Sequence, residues 1–166
     1  MFTIFTNRYY ILAFLFKKKK LDFVYCEKNS YAENYCKKKN IKHKTYKSKK
    51  DSFQFLINSA NKKIILNGYK FIIKKKILKN FKNIPINVHP SLLPDYQGQL
   101  IVKKMFNDKP DDIGATVHLI TETVDQGPIL SQAKCKFKKN LKIKELYQKL
   151  FKLELRAFKK FFKILT

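Results

Sequence analysis

Short apolar runs alternate with longer lysine-rich segments along most of the chain. Phe2–Thr6, Leu21–Cys26, Ile41–Tyr46, Lys63–Leu66, Ile84–Val88, Ala115–Ile120 and Ile129–Phe137 have the length and the β-branched and aromatic content of strands. Between them, Tyr31–Asn40, Ser52–Asn61, Ile72–Asn80 and Gly98–Asn107 have helix length, and the apolar Tyr9–Phe16 stretch predicts a core helix after the first strand. Strand and helix taken in turn predict an α/β fold, a Rossmann-like open, mostly parallel sheet with helices on both faces. From Leu141 to Leu165, the residues Ile143, Tyr147, Leu150, Phe158, Phe161 and Leu165 fall on one helical face. Lys142, Lys149, Lys152, Lys159, Lys160 and Lys163 fall on the other. This is the pattern of a long C-terminal amphipathic helix docked on the sheet.

The 166 residues predict a single domain, 1–166, large enough to bury a core without staples. A formal charge of +25 invites a polyanion as partner. The lysines, however, are spread over nearly the whole length, and the chain is also rich in Asn, Ile and Phe, whose codons are A/T-rich. No RRM, KH, zinc-finger or helix-turn-helix signature accompanies them, so a nucleic-acid partner is not expected. Tyr9–Phe16 is too short for a bilayer, which takes about 20 residues. Lys17–Lys20 follow it instead of a small-residue cleavage site, so neither a membrane span nor a signal peptide is expected. Cys26, Cys36 and Cys135 are odd in number and far apart, which suggests no disulfide framework, no metal site and a reducing compartment, the cytoplasm. Neither GxGxxG nor GxxxxGK occurs, so dinucleotide and nucleoside-triphosphate binding by those devices is excluded.

Three of the four glycines and two of the three histidines lie between Ile84 and Pro128. The strand Ile84–Val88 delivers two polar side chains at its end and breaks at Pro90. Asn87 and His89 are two apart and so share a strand face, at the carboxyl end where such sheets bind ligands. The plainer alternative is that Asn87 caps the turn and His89 is a satisfied, partly buried imidazole. Downstream, the strand beginning at Gly114 runs into a polar loop containing Asp125 and ending in Gly127-Pro128. An amide donor for a developing oxyanion, a proton carrier active near neutrality and a carboxylate to orient it make up the equipment of acyl transfer without a covalent nucleophile.

Asn87-Val88-His89-Pro90-Ser91-Leu92-Leu93-Pro94 and Val124-Asp125-Gln126-Gly127-Pro128, with Gly114-Ala115-Thr116-Val117-His118 between them, resemble the folate-dependent formyltransferase family. Within it they are most similar to the members that act on glycinamide ribonucleotide in purine biosynthesis. The likeness covers about residues 62–132. It implies the formyltransferase fold and transfer of a formyl group from 10-formyltetrahydrofolate, a co-substrate, with no permanently bound cofactor and no metal. By position it implies that Asn87 hydrogen-bonds the formyl oxygen. His89, as imidazolium, shares that task or relays a proton, and Asp125 orients His89 and helps deprotonate the amine through a water. Lys70, Phe71, Ile72 and Ile73, with Asn87 and with Thr121, Glu122, Thr123, Val124 and Asp125, are implied to hold the folate.

Glu154 sits in the apolar stripe of the last helix, where a carboxylate is costly unless paired. The resemblance makes it a contact of the amine substrate; a Glu snorkelling at the helix edge or paired with a lysine is the alternative. Where the family has a glycine-rich loop cradling the substrate phosphate, this chain has Thr6-Asn7-Arg8-Tyr9. Asn7 and Arg8 are the amine-substrate candidates there, with Arg8 able to pair with a phosphate. That departure keeps other acceptors open: a nucleotide-linked amino sugar, a methionyl-tRNA-type acceptor, or an inactive folate- or nucleic-acid-binding paralogue. His118 reads as a supporting histidine, His43 as a surface one, and Pro94 as a candidate cis proline.

Overall fold

The computed structural model describes residues 1–138 and 140–165. Strands and helices follow one another as β1 (Phe2–Thr6), α1 (Tyr10–Lys17), β2 (Leu21–Glu27), α2 (Tyr31–Lys38), β3 (His43–Tyr46), α3 (Lys49–Asn58), β4 (Ile64–Asn67), α4 (Lys75–Leu78), β5 (Ile86–His89), α5 (Ile101–Asp108), β6 (Asp112–Leu119), β7 (Ile129–Lys136) and α6 (Ile143–Ile164). The strands form an open, mostly parallel seven-stranded sheet in the order β3-β2-β1-β4-β5-β6-β7. The chain divides into two compact units, residues 1–87 and 88–166.

In the first unit, β1 pairs in parallel with β2 on one side and β4 on the other. A central strand flanked in this way has no solvent face, and every residue of β1 is buried. Ile11, Leu12 and Leu15 of α1 are fully excluded from solvent along with Ile4, Phe5, Val24 and Ile65. Several boundaries differ from the sequence pattern for local reasons. The helix expected from Ser52 begins at Lys49, because Ser48 and Asp51 form a reciprocal capping box. The strand expected from Ile41 begins at His43, because the Ile41 N–H is spent on the Cys36 carbonyl in closing α2. His43 is half-buried rather than a surface residue, its Nδ1–H donating to the Ile41 carbonyl at 2.8 Å. The helix expected over Ile72–Asn80 shrinks to one turn. It carries no acid to offset its lysines and no side-chain cap, and the Asn80 side chain folds back onto the Lys76 and Ile77 carbonyls.

In the second unit, β6 starts at Asp112, before the expected Ala115, and pairs antiparallel with β7. α5 starts at Ile101 rather than Gly98, because Tyr96, Gly98 and Leu100 all take left-handed backbone angles, with φ of +54°, +84° and +58°. α6 packs on β6 and β7, and its buried stripe is Leu146, Leu150, Leu153, Glu154, Ala157, Phe158, Phe161 and Phe162. The expected stripe was offset from this one: Ile143 and Leu165 are exposed at the two ends, and Tyr147 is half-buried. Ser131 anchors the helix through its hydroxyl, which donates to the Ala157 carbonyl at 2.8 Å.

Candidate active site

β5 ends in His89, which is buried, and the chain then turns through Pro90–Tyr96, with a cis bond between Leu93 and Pro94. Nε2 of His89 lies 2.9 Å from the Tyr96 carbonyl. A carbonyl only accepts, so Nε2 carries the proton. The other ring nitrogen, Nδ1, therefore faces the Asp125 carboxylate, 3.4 Å from Oδ2. Asp125 lies in the loop between β6 and β7 at φ +56°, and its Oδ2 accepts the Gly98 N–H at 2.8 Å. On the far side, Oδ1 stands 3.5 Å from Nε2 of His118. Nδ1 of His118 is in turn committed to the Leu119 carbonyl at 2.8 Å. Two buried imidazoles, each tethered through one nitrogen to a backbone carbonyl, thus flank one carboxylate.

Burial pushes the His89 imidazole below its usual pKa; the Asp125 charge and the Tyr96 carbonyl act in the opposite direction without overcoming it. A neutral ring has one N–H for these two acceptors, so contact with an ionised Asp125 favours the imidazolium while burial opposes it. For Asp125, burial favours the protonated acid. The His118 hydrogen bond, the nearby His89 and the Gly98 N–H together prevail and hold its carboxyl below the usual range.

A set of buried hydroxyls and amides fixes the turn that carries His89. The Ser91 hydroxyl donates to the Asp95 carbonyl at 2.7 Å and sits 3.2 Å from the Tyr96 carbonyl that receives His89. Thr116 on β6 donates to the Ser91 carbonyl at 2.7 Å and accepts from the Leu93 N–H and from Gln132 Nε2. None of these roles was assigned from the sequence. Backbone carbonyls and a mid-strand threonine carry no motif, although the Ser and Thr lie inside the two matched segments. Asp125 also borders a cavity of about 280 Å³, lined by Leu93, Pro94, Gln97, Gln126, Gly127 and Ile129.

The remaining candidates divide between the units. Glu154 is 2% exposed, so it does not snorkel, and its charge acts on His89. In the 121–125 loop, the Thr121 hydroxyl donates to the Thr123 carbonyl, while Glu122, Thr123 and Val124 are exposed. Asn87 precedes His89 by two residues on β5. In the first unit, Asn7 Oδ1 accepts the Glu27 N–H at 2.9 Å, and the Thr6 hydroxyl closes on the backbone N–H and carbonyl of Arg8. The Arg8 guanidinium lies against Gly68: its Nε is 2.9 Å from where a Cβ would stand. Gly68 is also at φ +67°, so both space and backbone favour glycine there. Lys70 pairs with Glu27 at 2.8 Å and lies 5.2 Å from the Phe71 ring; Ile72 is exposed and Ile73 buried. Among the described residues, no group of three or more His, Cys, Asp or Glu could hold a metal ion, and no helix is long and apolar enough to cross a membrane.

A family model described as "Formyl transferase" matches residues 9–161. A phosphoribosylglycinamide formyltransferase of Haemophilus influenzae is 39% identical over 71 residues, 43% of this chain and 34% of that protein. A methionyl-tRNA formyltransferase of Finegoldia magna is 33% identical over 87 residues, 52% of this chain and 28% of that protein. The matched stretch thus spans about a third or less of these relatives' own lengths. The crystal structure of phosphoribosylglycinamide formyltransferase from Streptococcus pneumoniae superposes with a TM-score of 0.84 at 19% identity, over 99% of this chain and 97% of that one, which establishes a shared fold.

Proposed function

The chain belongs to the formyl transferase family, and from that premise we propose that it transfers a formyl group from 10-formyltetrahydrofolate to a primary amine, glycinamide ribonucleotide before other acceptors. The observation that carries this reading is the Asp125 carboxylate, held between His89 and His118 by the Gly98 N–H at the edge of a cavity. In the reaction the amine nitrogen bonds to the formyl carbon, the carbonyl π pair moves to oxygen, and collapse of the tetrahedral adduct breaks the bond to N10 of the folate. One proton must leave the amine and one must reach N10. Asp125, ionised through its lowered pKa, takes the first through a water and supplies the second. The Asn87 amide donates to the oxyanion. Asp125 orients His89, whose Nδ1, the nitrogen not bound to Tyr96, shares the oxyanion contact or relays the proton on its way to N10.

Lys70–Ile73 and Thr121–Asp125 would hold the pterin, and Glu154, Asn7 and Arg8 the amine substrate. Glycinamide ribonucleotide is favoured because phosphoribosylglycinamide formyltransferases recur among the matched relatives. The test is to supply 10-formyltetrahydrofolate with glycinamide ribonucleotide and a panel of other amines and follow loss of the formyl group by absorbance. Asp125→Asn should lower kcat by about 10²–10⁴ and Asn87→Ala by about 10²–10³. Absence of turnover with every amine, or wild-type rates in both variants, overturns the proposal.

A further inference from the structure

Residues 95–100 supply a partner to each of the two groups proposed to handle protons. The Tyr96 carbonyl meets Nε2 of His89 at 2.9 Å, and two residues on the Gly98 N–H donates to Oδ2 of Asp125 at 2.8 Å. The backbone between and beyond them is left-handed at Tyr96, Gly98 and Leu100. Glycine adopts that conformation freely, but a bulky aromatic rarely does, and it persists there only where the surroundings hold it. The Ser91 hydroxyl grips the segment near its start, donating to the Asp95 carbonyl at 2.7 Å. The Tyr96 side chain makes a second attachment, because its hydroxyl hydrogen-bonds the Asp108 carboxylate. Asp108 is the last residue of α5. A carboxylate there opposes the helix dipole, and α5 has no basic residue in its last turn to offset it, so the phenol supplies a donor where the helix supplies none.

We propose that Tyr96, tied through its phenol to Asp108, is a positioning residue that holds residues 95–100 as one strap serving His89 and Asp125 together. The effect on rate rests on the formyl-transfer reading; the effect on the resting site does not. When the strap loosens, His89 loses an acceptor that favours its protonated form, and Asp125 loses a donor that favours its carboxylate. The other groups facing the pair stay in place: His118 from β6 beside Asp125, and the charge of Glu154 from α6 acting on His89. The phenol itself faces the charge of Asp95 as well as that of Asp108. Opposite shifts at His89 and Asp125, produced by one change at the end of α5, are the mark of a shared strap.

The test is a pH titration of both groups by NMR on the full chain, without substrates. Tyr96→Phe and Asp108→Ala should each lower the His89 midpoint and raise that of Asp125, and the double variant should do no more than either alone. Asp108→Asn keeps an acceptor for the phenol and should titrate as wild type. Asp108 is exposed, so its replacement leaves the core intact, which a melting curve checks. In the formyl-transfer assay, Tyr96→Phe and Asp108→Ala should lower kcat by about 2- to 10-fold, the range of one hydrogen bond. Unmoved midpoints in both single variants, a shift at one group only, or additive shifts in the double variant would refute the strap. Midpoints that move as expected in a chain that transfers no formyl group would uphold the strap and refute the proposed function instead.

Discussion

Replacing Thr116 with valine removes one hydroxyl from a fully buried position and keeps the side chain's shape. That hydroxyl makes three hydrogen bonds, to the Ser91 carbonyl at 2.7 Å, from Gln132 Nε2 at 2.9 Å and from the Leu93 N–H at 3.1 Å. Gln132 keeps its second bond, to the Leu93 carbonyl. The Leu93 N–H and the Ser91 carbonyl each lose a partner in a place water does not reach. A bond of this kind contributes roughly 1 kcal/mol net, and an orphaned buried donor costs about 1–3 kcal/mol, so Thr116→Val should destabilise by roughly 2–4 kcal/mol. At this chain length each kcal/mol lowers the melting midpoint by about 2–4 °C, which puts the expected fall at about 4–16 °C. Urea denaturation should show a shifted midpoint with an unchanged slope, and Thr116→Ser, which restores the hydroxyl, should recover most of the loss. Because Thr116 holds the turn that presents the Tyr96 carbonyl to His89, formyl transfer should fall as well, through kcat more than KM. A valine variant within about 0.5 kcal/mol of wild type would show that this network does not hold the turn.

Gly127→Ala should be poorly tolerated, because a Cβ there would stand 1.8 Å from the Leu119 carbonyl oxygen; a loss of at least about 3 kcal/mol is expected, and wild-type melting would contradict the packing described. Glu154→Gln should raise KM for the amine while leaving KM for the folate unchanged, and equal effects on both would remove Glu154 from the amine site. Stability should decline on acidification. The folded-state pKa of His89 is lowered, so the unfolded chain takes up the proton first, and this contribution is full above about pH 6.5 and shrinks below it. The lowered pKa of Asp125 adds stability that is present above about pH 4 and lost as pH falls through the folded value. Denaturation midpoints measured from pH 8 to 4 should therefore fall, with His89→Asn flattening the slope just below pH 6.5; a rise between pH 7 and 5.5 would contradict the lowered pKa of His89.

The alternation of apolar and lysine-rich segments was enough to predict a mostly parallel α/β sheet, because burial on both faces leaves a central strand such as β1 no polar position. Element ends were less legible, since they depend on single hydrogen bonds. The Ser48–Asp51 box moves the start of α3, and the Ile41 N–H delays β3. The left-handed residues at 96, 98 and 100 hold α5 back, yet only Gly98 among them announces such geometry in its residue type. Of the candidate site, His89 and Asp125, which the fold brings within 3.4 Å, could be singled out because side chains that do chemistry belong to few residue types. Their ionisation could not. It follows from how far His89 is buried and from which nitrogen the Tyr96 carbonyl claims, and both are properties of the fold.

The two ends of the proposed reaction differ in how their groups are held. His89 and Asp125, the groups proposed to handle protons, lie in residues 88–166, where Gly98, Tyr96, Ser91 and Thr116 hold them and their turn by hydrogen bonds. The segment 6–8 in residues 1–87 has no glycine. Its polar groups are spent locally, Asn7 on Glu27 and Thr6 on Arg8, so no row of glycine amides is left to cradle a phosphate. If Arg8 takes up the substrate phosphate as proposed, a side-chain cation replaces backbone dipoles, fixing the anion less rigidly and responding more to salt. Acceptor KM should therefore rise steeply between about 50 and 300 mM salt while kcat stays level. A salt-independent KM for a phosphorylated amine would mean that backbone amides hold the phosphate after all.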